Sequence, residues 1–143
     1  MKTYSPKQED LKRQWYIADV KGKIVGKVAT KVANILRGKN KPIFSPHLDC
    51  GDFVILINAK EIKMTGNKMA AKEYHHHTRY GSGLRTNTPA NLIRTNKPER
   101  ILMKAVAGMI PQSKLKKDIL RKLKIYSGTE HKHSAQEPKP LDL

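Results

Sequence analysis

Acidic residues are scarce in this sequence. Only 12 Asp and Glu stand against 29 Lys and Arg, leaving a formal net charge of +17 with His neutral and a pI near 10.1. That deficit excludes a self-neutralised globule, because like charges repel in a compact body unless a polyanion lies against it. Cysteine is nearly missing: a lone Cys50 excludes an intramolecular disulfide framework and fits a reducing compartment. Long apolar runs are missing too. The longest, Phe53–Ile57, is too short to cross a bilayer. Residues 1–10 hold no apolar segment, so no secretory leader is expected there. Aromatics are sparse, with one Trp, five Tyr and two Phe, which argues against a regular stacking platform for single strands. What remains is a chain of 143 residues, a length that suits one domain and can bury roughly 70% of its unfolded surface without staples.

The surplus charge is not confined to one tail. No acid lies between Asp19 and Asp49, where Lys21, Lys23, Lys27, Lys31, Arg37, Lys39 and Lys41 all fall. No acid lies between Glu73 and Glu99, where Arg79, Arg85, Arg94 and Lys97 accompany a histidine run. From Lys114 to Lys124 the basic residues surround one acid, Asp118. Cations on structured stretches suit a protein embedded in nucleic acid, bound through phosphates and counterion release. An anionic membrane would want a basic amphipathic helix with exposed large apolar residues. With so few aromatics, recognition by shape and backbone is expected over base-by-base reading.

Periodicity predicts a mixed α/β order. Trp15–Asp19 reads as a first strand, and Lys27–Arg37 carries Val28, Ala29, Val32, Ala33, Ile35 and Leu36 at helical spacing, ended by Gly38. Phe53–Asn58 is continuously apolar, as in a strand buried on both faces of a parallel sheet. Glu61–Met64 is expected as a short edge strand, Lys72–Thr78 as another, and Gly81–Gly83 as a flexible loop. Thr88-Pro89 and Pro98-Glu99 start helices, Pro111 stops the second, and Ser113 is expected to cap a third reaching Lys124. Ile125-Tyr126 is expected to close with a short strand or an extension. The expectation is a three-layer α/β/α domain with a small, mostly parallel sheet, a helical hairpin appendage around Pro111, and extended N- and C-terminal tails. Its core runs over about 14–128 and its tail over 129–143.

Several groups invite a chemical reading. Gly22…Gly26-Lys27 enters a helix after a strand, but the glycine spacing is wrong for a Walker or Rossmann loop, so a plain turn is expected. His75-His76-His77, with His47, Cys50, His131 and His133, suggests metal on paper. Nothing has the paired spacing of a zinc motif, and alternate strand residues face opposite ways. Cys50 lies near His47, yet no oxyanion device or orienting partner can be named. Asp49 and Asp52 are expected to serve the loop, with Asp52 capping or pairing a local Lys. No catalytic, metal or cofactor site is expected.

Several segments together resemble the ribosomal protein L13 family of the bacterial type. They are Trp15–Asp19, the Gly22…Gly26-Lys27 turn, Leu36–Lys39, Pro46–Asp52, Ile57–Ala59, Thr65–Lys68, Tyr74–Thr78, Val106–Pro111, Arg121–Tyr126 and Glu130–Pro138, in order and at the family's spacing. The resemblance implies an α/β core in a large-subunit protein that binds 23S-type rRNA early in assembly, beside neighbouring ribosomal proteins, without catalysis or a small-molecule substrate. It implies a cytoplasmic monomer within the ribosome; an organelle-encoded copy stays open. Carried onto this chain, it implies rRNA contacts at Lys27, Arg37, Lys39, Lys68, His76, His77, Arg121, Lys122 and Lys124, with His131 and His133 in the tail. Charge reversal at Lys122 and Lys124 is then expected to weaken binding and leave the fold intact. There are departures: Ala107 stands where the family carries Lys or Arg, Gln112–Lys117 replaces a glycine-rich linker, and Gly81–Gly83 replaces a Pro-Gly-Gly-like turn. Two other readings remain open. A DNA-architectural protein would need a dimer seam or a recognition helix, and a metal-dependent nuclease would lose activity on substitution of His76 and His77.

Overall fold

The computed structural model describes residues 4–143, so the first three residues of the expected N-terminal arm lie outside the described residues. Aromatic and β-branched residues form β1 (Trp15–Asp19), and a turn leads into α1 (Val25–Arg37). The helix buries Val25, Val28, Ala29, Val32, Ala33 and Leu36, the stripe expected of an amphipathic helix. Gly38, at φ 76°, ends it: its N–H donates to the Ile35 carbonyl and that of Lys39 to the Asn34 carbonyl, which satisfies the last turn.

The chain then forms β2 (Phe53–Ile57), and much later β5 (Leu123–Ile125) and β6 (Lys139–Pro140). They assemble as a parallel sheet in the order β5-β2-β1-β6. β2 lies between two partners, and Val54, Ile55 and Leu56 are fully buried, as its unbroken apolar run requires. The register pairs Trp15 with Phe53 and Ile17 with Ile55 on one face, and Ala18 with Leu56 on the other.

Four more helices follow β2: α2 (Lys68–Ala71), α3 (Pro89–Arg94), α4 (Glu99–Met109) and α5 (Lys116–Arg121). Thr88 caps α3 by accepting the Asn91 N–H on its hydroxyl at 3.3 Å. Ala18, Val54, Leu56 and Leu123 of the sheet share one core with Val28, Val32 and Leu36 of α1, Leu92 of α3, Ile101, Leu102 and Val106 of α4, and Ile119 of α5. The helices flanking Pro111 are thereby anchored to the sheet.

The opposite face carries the third layer, and it is thin. Trp15 stacks on Phe53 with centroids 4.2 Å apart. The chain leaving β5 crosses this face, placing His133 5.1 Å from Trp15, with one 3-10 turn (Ser134–Gln136), before β6 pairs with β1. The fold is therefore the expected mixed α/β with a mostly parallel sheet. Its C-terminal tail is a working part of that sheet instead of a free extension.

Local expectations differ in three places. The third helix starts at Lys116 with no side-chain cap from Ser113, whose carbonyl accepts the Lys116 N–H at 3.1 Å, and it ends at Arg121 because Leu123 and Ile125 pair with Val54 and Leu56. The expected strand at Glu61–Met64 is a 3-10 turn (Ala59–Glu61) and a single bridge between Ile24 and Lys63. The loop Gly81–Gly83 is the turn of an antiparallel hairpin, β3 (Tyr74–His77) with β4 (Leu84–Asn87). Neither strand holds a buried residue, and Tyr74 at the hairpin's base packs against the core.

Candidate nucleic-acid interface

Helix α4 turns Ile101, Leu102 and Val106 into the core. Arg100 and Lys104, one turn apart on its other side, are exposed. A cavity of about 490 Å³ opens between this helix, α3 and the β3–β4 hairpin, lined by Tyr74, His76, Asn87, Leu92, Arg100 and Lys104 among others. Two cations approach the Tyr74 ring: Lys104 Nζ is 4.7 Å and Lys72 Nζ 5.4 Å from its centroid. Burial pushes its phenol pKa up. A second groove, of about 400 Å³, lies between the start of α1, α4 and α2, and Lys68, Lys72 and Lys104 line it with Gly26 and Gly108. Lys104 belongs to both hollows, so they form one basic surface. Across the hairpin ladder, His76 faces Arg85. Among the described residues, Lys68, Lys72, Arg85, Arg100 and Lys104 enter no ion pair. Such cations are free to meet phosphate oxygens.

The structure brings only some of the expected residues to this surface. Lys68 and His76 line its two hollows, and Lys27 follows directly on Gly26. His77 is exposed on the hairpin, its Nδ1 accepting the Arg79 N–H at 2.9 Å, so a neutral ring carries its proton on Nε2. Arg37 and Lys39 lie at the far end of α1, roughly 15 Å along the helix axis from Lys27. There the Arg37 guanidinium packs over the Phe44 ring at 5.6 Å. Arg121 is exposed but already pairs with Asp118 at 3.1 Å. Lys124, His131 and His133 are half-buried on the sheet's thin side, where both histidines pack near Tyr126. Among the described residues, no three or more His, Cys, Asp and Glu gather closely enough to hold a metal ion, and no helix is long and apolar enough to cross a membrane.

Lys122 requires a correction. Its side chain is only 4% exposed, and it donates to the Leu36 carbonyl at 3.0 Å and to the Asp49 carboxylate. Burial pulls its pKa below the usual lysine value, against the opposing pull of the Asp49 hydrogen bond and charge. It is the buried pin of an ionic cluster and presents no charge to an external phosphate. Nearby, Asp52 Oδ1 accepts from Lys41 Nζ at 2.6 Å and from the Gln14 N–H at 2.8 Å, the lysine pairing expected for it. Arg13 approaches Asp49 at 3.8 Å. The cluster ties the arm, the end of α1, the 39–52 loop and the start of β5 together. Gly51 makes this possible, because a Cβ there would collide with the Leu36 carbonyl.

The sequence points to Lys104 only as a stand-in, with Lys114, for the cation missing at Ala107, and passes over Lys72, Arg85 and Arg100 as contacts. Two signals were available. Arg85 stands inside an acid-free stretch, and Arg100 and Lys104 lie off the apolar stripe of their helix.

The family model for ribosomal protein L13 matches residues 13–132. The chain is 52% identical over 143 residues to a large ribosomal subunit protein uL13 of Citrifermentans bemidjiense, covering 100% of both chains. It is 48% identical over 143 residues to the uL13 of Nitratidesulfovibrio vulgaris, covering 100% of this chain and 99% of that one. It is 50% identical over 137 residues to the uL13 of Geobacter sulfurreducens, covering 96% of this chain and 95% of that one.

Proposed function

The chain belongs to the ribosomal protein L13 family, and from that premise we propose that it is a structural, non-catalytic component of the large ribosomal subunit that binds 23S-type rRNA and supports early assembly. In this reading it works in the cytoplasm as a monomer within the particle, beside neighbouring large-subunit proteins. The observation that carries the proposal is the basic surface of α2, α4 and the hairpin, where Lys68, Lys72, Arg85, Arg100 and Lys104 have no acidic partner among the described residues. Lys27, His76 and His77 extend that surface, and Arg37 and Lys39 add two cations at the far end of α1. Phosphate contacts position the RNA helices, and RNA shape supplies the specificity.

The test is sedimentation. Large subunits from cells carrying a tagged copy are centrifuged through gradients of increasing salt. The protein is expected to travel with the large subunit and to leave it only at high ionic strength. A protein that stays at the top of the gradient in low salt, or subunits that assemble at a normal rate without it, contradicts the proposal.

A further inference from the structure

The β3–β4 hairpin holds two large apolar side chains that the fold does not use. Tyr80 is 80% exposed and Leu84 62% exposed. They stand on a loop of defined shape. The Thr78 N–H donates to the Gly83 carbonyl at 2.9 Å and the Gly83 N–H to the Tyr80 carbonyl at 3.0 Å. Arg79 and Ser82 hold left-handed backbone at φ 70° and 56°, a conformation that costs residues bearing a Cβ and that collects at binding sites. Around the tip stand His76, His77, Arg79 and Arg85. The nearest acid in sequence is Glu73 at the hairpin's base, engaged with His75 at 3.6 Å, and the next is Glu99.

We infer that the hairpin tip is a stacking finger: the Tyr80 ring lies on one unpaired rRNA base while Arg79 and Arg85 hold the flanking phosphates. The inference rests on the rRNA-binding reading above and adds a site to it. The charge around the tip favours RNA over a protein partner, which would have to bring matching acids. An exposed aromatic ring cannot enter the narrow major groove of an A-form helix, whereas a splayed base in a loop or bulge offers it a face. Stacking suits any base, so the finger adds affinity and position more than sequence choice.

The experiment uses the full chain and transcribed 23S-type rRNA, with affinity measured across a salt series and base accessibility probed at nucleotide resolution. Tyr80→Ala is expected to weaken binding about 5- to 150-fold, to leave the salt slope unchanged and to expose one base that the wild type protects. Tyr80→Phe is expected to keep both affinity and protection. Tyr80 supports the fold through its backbone alone, and unchanged Trp15 emission checks that. If the wild type binds with a steep salt slope and Tyr80→Ala binds equally well, the finger is wrong and the rRNA-binding reading stands. If the wild type does not bind the rRNA, that reading itself falls. If Tyr80→Ala keeps its rRNA affinity but reconstituted subunits lose a neighbouring protein, the tip is a protein-docking surface and the inference is overturned.

Discussion

At the scale of single residues, the same side-chain chemistry serves opposite ends. Lys39 is exposed, and a free surface cation of this kind contributes little to stability. Lys122 is buried against Asp49, and removing one partner of a buried pair leaves the other uncompensated. Lys39→Ala is expected to change unfolding free energy by no more than about 0.5 kcal/mol while lowering rRNA affinity. Lys122→Ala is expected to cost about 3 kcal/mol or more. Urea titration of both variants checks the pair, and a Lys122→Ala protein as stable as wild type contradicts the buried-pin account. Gly51→Ala is expected to destabilise by about 3 kcal/mol or more through overpacking. Gly128→Ala, where a Cβ meets open space, is expected to stay within about 0.5 kcal/mol.

Asp19 carries the pH argument. The Lys21 N–H and then the Asn58 side-chain amide donate to its carboxylate and hold its pKa below the usual 3.8. A carboxyl lowered on folding contributes stability above its unfolded value, and that contribution is lost as pH falls through the folded value. Wild-type stability is therefore expected to drop below about pH 4 through this group, and Asp19→Asn is expected to show a shallower drop there. Equal acid slopes in the two proteins contradict the assignment.

At the scale of elements, the C-terminal segment is the piece whose role differs most from its composition. It is polar and holds Pro138 and Pro140, yet it covers Trp15 and ends as an edge strand. The Leu141 N–H donates to the Ile17 carbonyl at 2.8 Å. Truncation after Gly128 is expected to shift the emission of Trp15, the sole Trp, to the red and to lower stability by about 2 kcal/mol or more. Unchanged emission contradicts the packing of His133 on that ring.

Elements governed by local pattern were legible in the sequence. The stripe of α1 with its Gly38 stop, the apolar run of β2 and the Thr88-Pro89 start of α3 each state their own structure. Elements governed by distant partners were not. Lys139 and Pro140 become a strand only because β1 offers an edge more than a hundred residues earlier in the chain. Leu84–Asn87 has no alternation and is a strand only opposite Tyr74–His77. Lys122 reads as a surface cation until Asp49, 73 residues away in sequence, closes on it. The candidate interface divides the same way. Its basic character was visible in the spacing of acids, whereas the sharing of Lys104 by two hollows depends on where α4 packs.

At the scale of the whole molecule, the account rests on charge. With +17 formal charges and few internal ion pairs among the described residues, the fold is under self-repulsion that a polyanion relieves. The most direct measurement is the affinity of the full chain for 23S-type rRNA as a function of salt. If about six to ten phosphates are neutralised, log K should fall against log salt with a slope of about −4 to −9. A slope near zero, with binding still tight, would mean that the surplus cations do not meet phosphates, and the central claim would fail.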